Sequence, residues 1–172
     1  MARIVGILAL ILVIGNAAIA KTIPEYQGDP VTAIVVHKEA RKMFLMHDNR
    51  VLRSYNIGLG FAPNGHKAIE GDGKTPEGLY FIDRKNPNSK FHLSLGVSYP
   101  NTADRRYAKS IGKSPGGDIF IHGNQDLKYR LKRDWRNAFE KDWTAGCIAV
   151  TDAEMTEIYS MIGLGTPIFI QR

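Results

Sequence analysis

The chain has 172 residues, of which 44% are hydrophobic and 23% charged, so one globular domain is predicted and a disordered or fibrous protein is excluded. Its formal net charge of +6 suits an anionic surface such as the cell envelope, and it equally suits solubility alone. The basic run from Lys128 to Arg133 is short and lacks an aromatic stacking platform, so no nucleic-acid partner is predicted.

The N-terminus is typical of an export signal. Arg3 precedes an uncharged apolar stretch from Ile4 to Gly15, and Ala18-Ile19-Ala20 has the small-x-small pattern of a cleavage site. Residues 1–20 therefore predict a signal peptide that is cleaved after Ala20, and a protein exported to the periplasm or cell envelope. An uncleaved membrane anchor is the alternative, because the apolar stretch is at the short limit of a membrane span.

A polar leader and a first group of strands follow the signal. Residues 21–30 contain two prolines and a glycine, which predict a leader before a domain over 31–171. β-Branched and alternating apolar residues then predict three strands, which cover Ala33–Val36, Lys42–Met46 and Val51–Gly58.

The centre of the chain combines a shaped loop with further strands. Three glycines and a proline within Gly71–Gly78 predict a loop of defined conformation. Apolar runs bounded by turn residues predict the remaining strands, over Leu79–Ile82, Phe91–Val97, Ile119–His122 and Thr166–Ile170.

Two helices are predicted. One covers Leu127–Trp143, where apolar residues recur at helical spacing among many charges. The other follows Thr151, which forms a capping box with Glu154, and it ends near Gly163. The predicted fold class is therefore mostly β with a few short helices.

Cys147 is the single cysteine of the chain. In an exported protein a lone cysteine is buried and inert, bonded between molecules, or kept free for its chemistry. Gly146 precedes it, and a glycine lets the backbone approach a substrate carbonyl closely. The backbone N–H groups of Gly146 and Cys147 are therefore candidates for an oxyanion hole.

His122 is the candidate general base for this thiol. It ends a predicted buried strand and precedes Gly123, so it can meet Cys147 if their strands run side by side. A histidine can deprotonate a thiol and later protonate a leaving amine. The other four histidines are interpreted as structural or solvated, and they form no metal-ligand spacing. No metal and no cofactor are predicted.

Several motifs give the chain a resemblance to a known family. In order they are Gly73-Lys74-Thr75-Pro76-Glu77-Gly78, Lys85-Asn86-Pro87-Asn88-Ser89, Ser98-Tyr99-Pro100-Asn101, Ile119-Phe120-Ile121-His122-Gly123 and Thr144-Ala145-Gly146-Cys147-Ile148. Together they resemble the L,D-transpeptidase catalytic-domain family of bacterial cell-wall enzymes. The resemblance implies a β-sandwich domain with a helical insertion before the cysteine.

The resemblance also implies a reaction and roles. Cys147 attacks the carbonyl of the third residue of a peptidoglycan tetrapeptide stem, D-alanine leaves, and an acceptor amine resolves the thioester. His122 matches the family's base, the backbone of Gly123 orients it, and Gly146 belongs to the oxyanion segment. Substrate-binding roles are predicted for three further residues, Tyr99, Asn101 and Thr144. The implied partners are peptidoglycan stem peptides.

This sequence departs from the commonest form of the family at three places. Ala145 stands where a histidine is usual, Ala149 stands where asparagine or arginine is usual, and the Leu127–Trp143 insertion lengthens the interval between His122 and Cys147. These departures leave the acceptor open between a stem amine, the lysine of a wall-linked lipoprotein, and water. With water the activity is that of an L,D-carboxypeptidase or an amidase.

The order and the presence of key residues distinguish three rival classes of protein. A papain-like peptidase needs a histidine after its cysteine, and none follows Cys147. A sortase needs a downstream arginine, and only the terminal Arg172 is available. A non-catalytic wall-binding module would lack Cys147 or His122, and both are present. The oligomeric state and the third member of a catalytic triad are not predicted.

Overall fold

Eight β-strands form the framework of the part of the chain that the structure describes. The structure is a computed structural model, and it describes residues 23–123 and 142–172. The strands are β1 Ala33–His37, β2 Lys42–His47, β3 Arg50–Asn56, β4 Gly78–Asn86, β5 Ser94–Val97, β6 Phe120–His122, β7 Ile148–Ala149 and β8 Pro167–Gln171. They lie in the order β3-β2-β1-β8-β4-β5-β6-β7.

The first hairpins follow directly from the sequence pattern. β1 pairs antiparallel with β2, with Ile34 opposite Leu45, and β2 pairs antiparallel with β3. Every second residue of β1 is buried, which is the alternation expected of a strand with one face on the core. β8 returns at the end of the chain to pair in parallel with β1 and antiparallel with β4.

The sheet curls until its two edges come together. β6 and β7 pair in parallel at one edge, with His122 opposite Ala149. Just after β3, which forms the other edge, Gly58 bridges to Ala149 and Gly60 bridges to Thr144. The closure brings the histidine strand, the segment around Cys147 and the Gly58–Gly60 segment to one place.

Two helices cover described parts of the sheet. Helix α1 spans Thr102–Ser110, and helix α2 spans Asp152–Met161. The capping box predicted for α2 is present, because the Thr151 side chain accepts from the Glu154 N–H and the Glu154 carboxylate accepts from the Thr151 N–H. Four residues of α2 pack into the core, namely Met155, Ile158, Tyr159 and Met161.

The predicted mostly-β fold with a few short helices is confirmed, with differences in detail. The predicted strand over Phe91–Val97 is shorter, since β5 begins at Ser94. Helix α1 was not predicted. The predicted signal peptide lies outside the described residues, as does the predicted Leu127–Trp143 helix apart from Asp142 and Trp143, which are not helical. Within 23–123 and 142–172, no helix has the length and apolar content needed to cross a membrane.

The predicted leader is in contact with the domain over the part that the structure describes. Ile23 and Tyr26 are partly buried against the hydrophobic core, and Asp29 forms an ion pair with Arg50 at the start of β3. The core itself is filled by the inward residues of the strands and by α2. It provides the rigid support on which the segments around Cys147 and His122 rest.

Candidate active site

The segment that carries Cys147 is fixed by backbone hydrogen bonds on both sides of the cysteine. Before it, the Thr144 N–H donates to the Leu59 carbonyl at 3.1 Å. After it, Ala149 and Gly58 exchange both of their backbone hydrogen bonds, each at 2.9 Å. The cysteine is therefore at the end of a short, tightly anchored turn that leads into β7.

Gly146 is required by the shape of this turn. Its φ is +137°, a conformation that residues with a side chain rarely adopt. A Cβ added there would lie 2.7 Å from the Lys74 carbonyl oxygen and 3.0 Å from Ile119 Cδ1. The glycine before the cysteine thus allows the turn to pack directly on the Lys74 backbone of the glycine-rich loop.

Thr144 closes the turn with its hydroxyl. The hydroxyl donates to the Cys147 carbonyl at 2.7 Å and accepts from the Gly146 N–H at 3.1 Å. An oxyanion that used the Gly146 N–H would have to share or displace this hydrogen bond. The oxyanion role of Gly146 and the substrate-binding role of Thr144 therefore stay predictions, while the observed contacts of Thr144 shape the turn.

His122 is buried and oriented by a backbone carbonyl. Its Nδ1 lies 2.6 Å from the carbonyl oxygen of Gly123, which is an acceptor, so Nδ1 carries the hydrogen. In the neutral imidazole this leaves Nε2 as the basic nitrogen. The contact is the one predicted for Gly123, whose backbone was expected to orient the base.

Two aromatic rings enclose the imidazole. Phe91 stacks on it with ring centroids 4.4 Å apart and an interplanar angle of 26°. Trp143 meets it edge to face, with centroids 5.8 Å apart. Because the rings remove water from around the imidazole, they favour its uncharged form.

Burial makes the resting pair neutral. It lowers the pKa of His122, and the hydrogen bond to Gly123 opposes this shift. Burial also raises the pKa of the Cys147 thiol, which lines the same cleft as His122. A thiol beside a neutral imidazole is the starting state in which the base accepts the proton as the sulfur attacks.

Three neighbours modulate the thiol. The Phe120 N–H donates toward the sulfur and lowers the pKa of Cys147, while the Asp118 carboxylate raises it and the Lys67 ammonium lowers it. In the resting geometry Sγ lies 3.5 Å from the backbone carbonyl oxygen of Asp118. The thiol therefore has a backbone acceptor at rest and a backbone donor available once it is ionised.

A cleft of about 600 Å³ opens beside the pair. Besides His122 and Cys147 it is lined by two aromatic rings and by polar residues of mixed charge, namely Phe91, Phe120, Asn86, Asn88, Ser89, Lys90, Ser94 and Asp118. Lys90 extends over the Phe91 ring, with Nζ 5.3 Å from its centroid. This lining suits an extended polar ligand that carries charge.

The other two predicted substrate-binding residues have structural contacts. Asn101 is the N-cap of α1, and its side chain accepts from the N–H groups of Ala103 and Asp104. Tyr99 is 5% exposed and donates to the Pro115 carbonyl at 3.0 Å. Neither residue lines the cleft described above, and their substrate-binding roles stay predictions.

The structure also identifies neighbours of the pair to which the sequence assigned no role. Phe91 and Trp143 contact the imidazole, and Asp118 contacts the thiol. Asp118 has a local signal, since it directly precedes the Ile119–His122 run. Trp143 has the same kind of signal, since it directly precedes the Thr144–Ile148 motif, while its contact with His122 and that of Phe91 depend on the fold.

Comparison with known proteins identifies the family. Residues 31–170 match YkuD, the L,D-transpeptidase catalytic domain. Since this match covers most of the chain, the chain belongs to the L,D-transpeptidase catalytic-domain family, as its motifs predicted. The "Putative L,D-transpeptidase YafK" of Escherichia coli K12 is 26% identical over an alignment of 144 residues, and the match covers 80% of this chain and 49% of YafK. The chain thus spans about half the length of this relative.

Solved structures agree on the fold. The helical cell shape determining protein Pgp2 from Campylobacter jejuni superposes with a TM-score of 0.61 at 25% identity, covering 84% of this chain and 52% of Pgp2. An L,D-transpeptidase from Mycobacterium smegmatis superposes with a TM-score of 0.52 at 16% identity, covering 83% of this chain and 59% of that one. The second similarity concerns the fold alone.

Proposed function

We propose that this chain is an exported peptidoglycan L,D-transpeptidase with Cys147 as nucleophile and His122 as general base and acid. The observation that carries the proposal is the shared cleft of the two side chains, with Nδ1 of His122 bonded to the Gly123 carbonyl so that Nε2 is left as the base. Membership of the L,D-transpeptidase family supports the reaction class.

The first half of the reaction forms a thioester. Sγ of Cys147 attacks the carbonyl carbon of the third residue of a tetrapeptide stem, and Nε2 of His122 takes the thiol proton. The tetrahedral intermediate then collapses, its C–N bond breaks, and the imidazolium gives its proton to the departing amine of D-alanine. The Gly123 carbonyl accepts from Nδ1–H throughout, which stabilises the transient imidazolium.

The second half regenerates the enzyme. An acceptor amine attacks the thioester carbonyl and loses a proton to Nε2, and the C–S bond then breaks. The departing thiolate recovers that proton from the imidazolium. With an amine of a second stem the product is a cross-link; with the lysine of a wall-linked lipoprotein it is an attached protein, and with water it is a free tripeptide.

The oxyanion is stabilised by backbone donors of the turn. One donor is the backbone N–H of Cys147, the residue that carries the nucleophile. The Gly146 N–H becomes the second donor once its hydrogen bond to the Thr144 hydroxyl is broken. This assignment makes Thr144 a residue that holds the oxyanion turn in its resting form. Removing one donor of such a pair typically slows the reaction by about 100- to 1,000-fold.

The lining of the cleft supports a stem peptide as donor. Lys90 offers a cation for a peptide carboxylate, and the side-chain amides of Asn86 and Asn88 can pair with peptide groups. The export signal supports action in the periplasm or cell envelope, where such stems are found. We extend the proposal to wall remodelling and to cell shape; Pgp2 is named as a helical cell shape determining protein.

The test uses purified tetrapeptide muropeptides and product analysis by mass spectrometry. The mature chain is expected to release D-alanine, and Cys147→Ala is expected to release none while keeping the wild-type unfolding curve. The control Ser110→Ala changes an exposed hydroxyl of α1 and should leave turnover unaltered. Cross-linked dimers would identify an amine acceptor and tripeptides alone would identify water. Unchanged muropeptides with a titratable thiol would refute the proposal.

A second measurement asks whether the thiol is activated. A carbapenem carries a strained acyl group, and we expect it to acylate Cys147 and add its mass to the intact protein. Cys147→Ala should show no adduct. A folded wild-type protein that remains unmodified would contradict an activated cysteine.

A further inference from the structure

Arg41 and Asp142 form an ion pair that joins two distant parts of the chain. Arg41 lies in the turn between β1 and β2, and Asp142 lies 101 positions later, directly before the turn that carries Cys147. Nε of Arg41 is 2.9 Å from Oδ1 of Asp142, and Nη2 is 2.6 Å from Oδ2. Two parallel contacts of this kind fix the relative orientation of both side chains.

The arginine end of the pair is itself held in place. Its φ is +51°, which is uncommon for a residue other than glycine. The Arg41 carbonyl accepts from the Ile57 N–H at 3.0 Å, and its guanidinium also donates to the Lys38 carbonyl. The hairpin turn therefore presents the guanidinium from a backbone that has little freedom to move.

The aspartate end leads into the candidate active site. Oδ1 of Asp142 accepts from the Leu59 N–H at 3.0 Å, and the Leu59 carbonyl accepts from the Thr144 N–H at 3.1 Å. Trp143 lies between these two anchors and faces His122, with centroids 5.8 Å apart. The position of Asp142 thus sets where the indole lies against the imidazole.

We propose that Arg41 is a positioning residue, which acts through Asp142 to hold Trp143 against His122 and the Thr144–Cys147 turn in its reactive position. The inference rests on the proposed function. It assigns a role in the chemical step to an arginine in a hairpin turn on another part of the sheet. Arg41 itself belongs to no motif through which the chain resembles its family.

A contribution to stability does not exclude a role in positioning. The side chains of Arg41 and Asp142 are 35% and 15% exposed, so the pair is partly buried, and the experiment has to separate a loss of folding from a loss of position. Arg53 and Glu157 provide a comparison pair, since they also join a hairpin strand to a distant element and approach to 2.6 Å, although their side chains are more exposed, at 44% and 40%. That pair joins β3 to α2, away from the turn of Cys147, so it serves as the control.

The experiment compares the kinetics of four variants. Arg41→Ala is expected to lower kcat about 10- to 30-fold with KM within about twofold, because a loosened turn weakens the chemical step and leaves donor binding intact. Arg41→Lys should recover part of kcat through a single contact. Asp142→Asn should resemble Arg41→Ala although it can still accept from Leu59, and Arg53→Ala should stay within twofold of wild type.

The pH profile gives a reading that loss of stability would not produce. If Trp143 moves away, water reaches His122 and its lowered pKa returns toward the ordinary value. The acidic limb of kcat/KM should therefore move to higher pH in Arg41→Ala and stay in place in Arg53→Ala. Equal kcat losses in these two variants, or a rise in KM alone for Arg41→Ala, would overturn the inference.

The alkylation rate of Cys147 separates this inference from the proposed function. Iodoacetamide labelling needs no muropeptide, and His122 assists it by taking the thiol proton. We expect the labelling rates of Arg41→Ala and Asp142→Asn to differ from that of wild type, and the rate of Arg53→Ala to match it, even if none of the proteins releases D-alanine. Labelling at the wild-type rate in both folded variants would refute the positioning role, whatever the substrate proves to be.

Discussion

The two ends of the curled sheet differ in how their residues are buried. In β1 buried residues alternate with half-exposed ones, whereas β5 and β7 are buried at every position. The first part is a framework, and its alternation of buried and half-exposed residues can be recognised from neighbouring residues in the sequence. The second part carries His122 in β6 and includes β7, which follows Cys147. There Phe91 and Trp143 pack against the His122 ring. The comparison separates residues that keep the fold from residues that surround the candidate active site.

The largest expected effect lies at the reactive end. His122→Asn removes both the base and the acid of the proposed reaction, so we expect D-alanine release to fall about 1,000-fold. His37→Gln, at the end of β1, is the matched control and should retain activity. Coupled detection of free D-alanine measures both. A loss below about tenfold for His122→Asn would mean that another group serves as base.

A change in the framework part should lower stability and leave activity almost unchanged. Leu45 in β2 is fully buried, so Leu45→Ala should lower the free energy of unfolding by about 2–5 kcal/mol. Activity per folded molecule should change little, because the cavity lies away from His122 and Cys147. Urea unfolding and turnover below the transition measure the two effects separately. Leu164→Ala is the control, since that side chain is 64% exposed, and its effect should be within about 0.5 kcal/mol.

The presence or absence of a local pattern of apolar residues also explains which elements of the fold the sequence predicted and which it missed. Strand β1 was predicted from its β-branched apolar run, β3 from its alternation, and α2 from its capping box and apolar face. Helix α1 was missed because it buries only Asp104 and Ala108, which leaves no apolar stripe to detect. Asn101 with Asp104 forms a capping box, and that local pattern would have indicated where α1 begins.

The candidate site was predictable only in part, for a related reason. Cys147, His122 and Gly123 lie in short motifs, so residue type and order were enough to nominate them as candidates. The stacking of Phe91 on His122 and the pairing of Arg41 with Asp142 depend on how the sheet closes. Contacts of this kind join residues far apart in the chain, and no local pattern marks them.

Gly146 tests whether the turn of Cys147 needs its unusual backbone. Gly146→Ala places a side chain at a φ of +137° and against the Lys74 carbonyl, so we expect activity to fall about 100-fold. Gly163→Ala is the matched change, because a Cβ there meets nothing within 4 Å. Kinetics with muropeptides and thermal unfolding of both variants compare the two sites. Equal activity in the two variants would show that the turn tolerates rearrangement.

The dependence of activity on pH tests the neutral resting pair. Activity needs an unprotonated Nε2, so kcat/KM should rise as pH passes through the lowered pKa of His122. Because burial raises the pKa of the thiol, ionisation of free Cys147 should occur only above the range of an ordinary cysteine. The profile should therefore have a broad plateau around neutrality. A midpoint of the acidic limb above that of free histidine would contradict a buried, uncharged base.

The smallest expected effect is at the mouth of the cleft. Lys90 is exposed, and its charge lies beside the Phe91 ring that stacks on His122. Lys90→Met keeps most of the aliphatic chain and removes the charge, so KM for an anionic stem should rise about five- to tenfold while kcat is retained. The difference should shrink as salt is added, because salt screens exposed charges.

Lys113→Met, in the loop after α1, is the charge-matched control. If both lysine variants raise KM equally, the effect belongs to the net charge of the protein, and Lys90 has no contact with the stem.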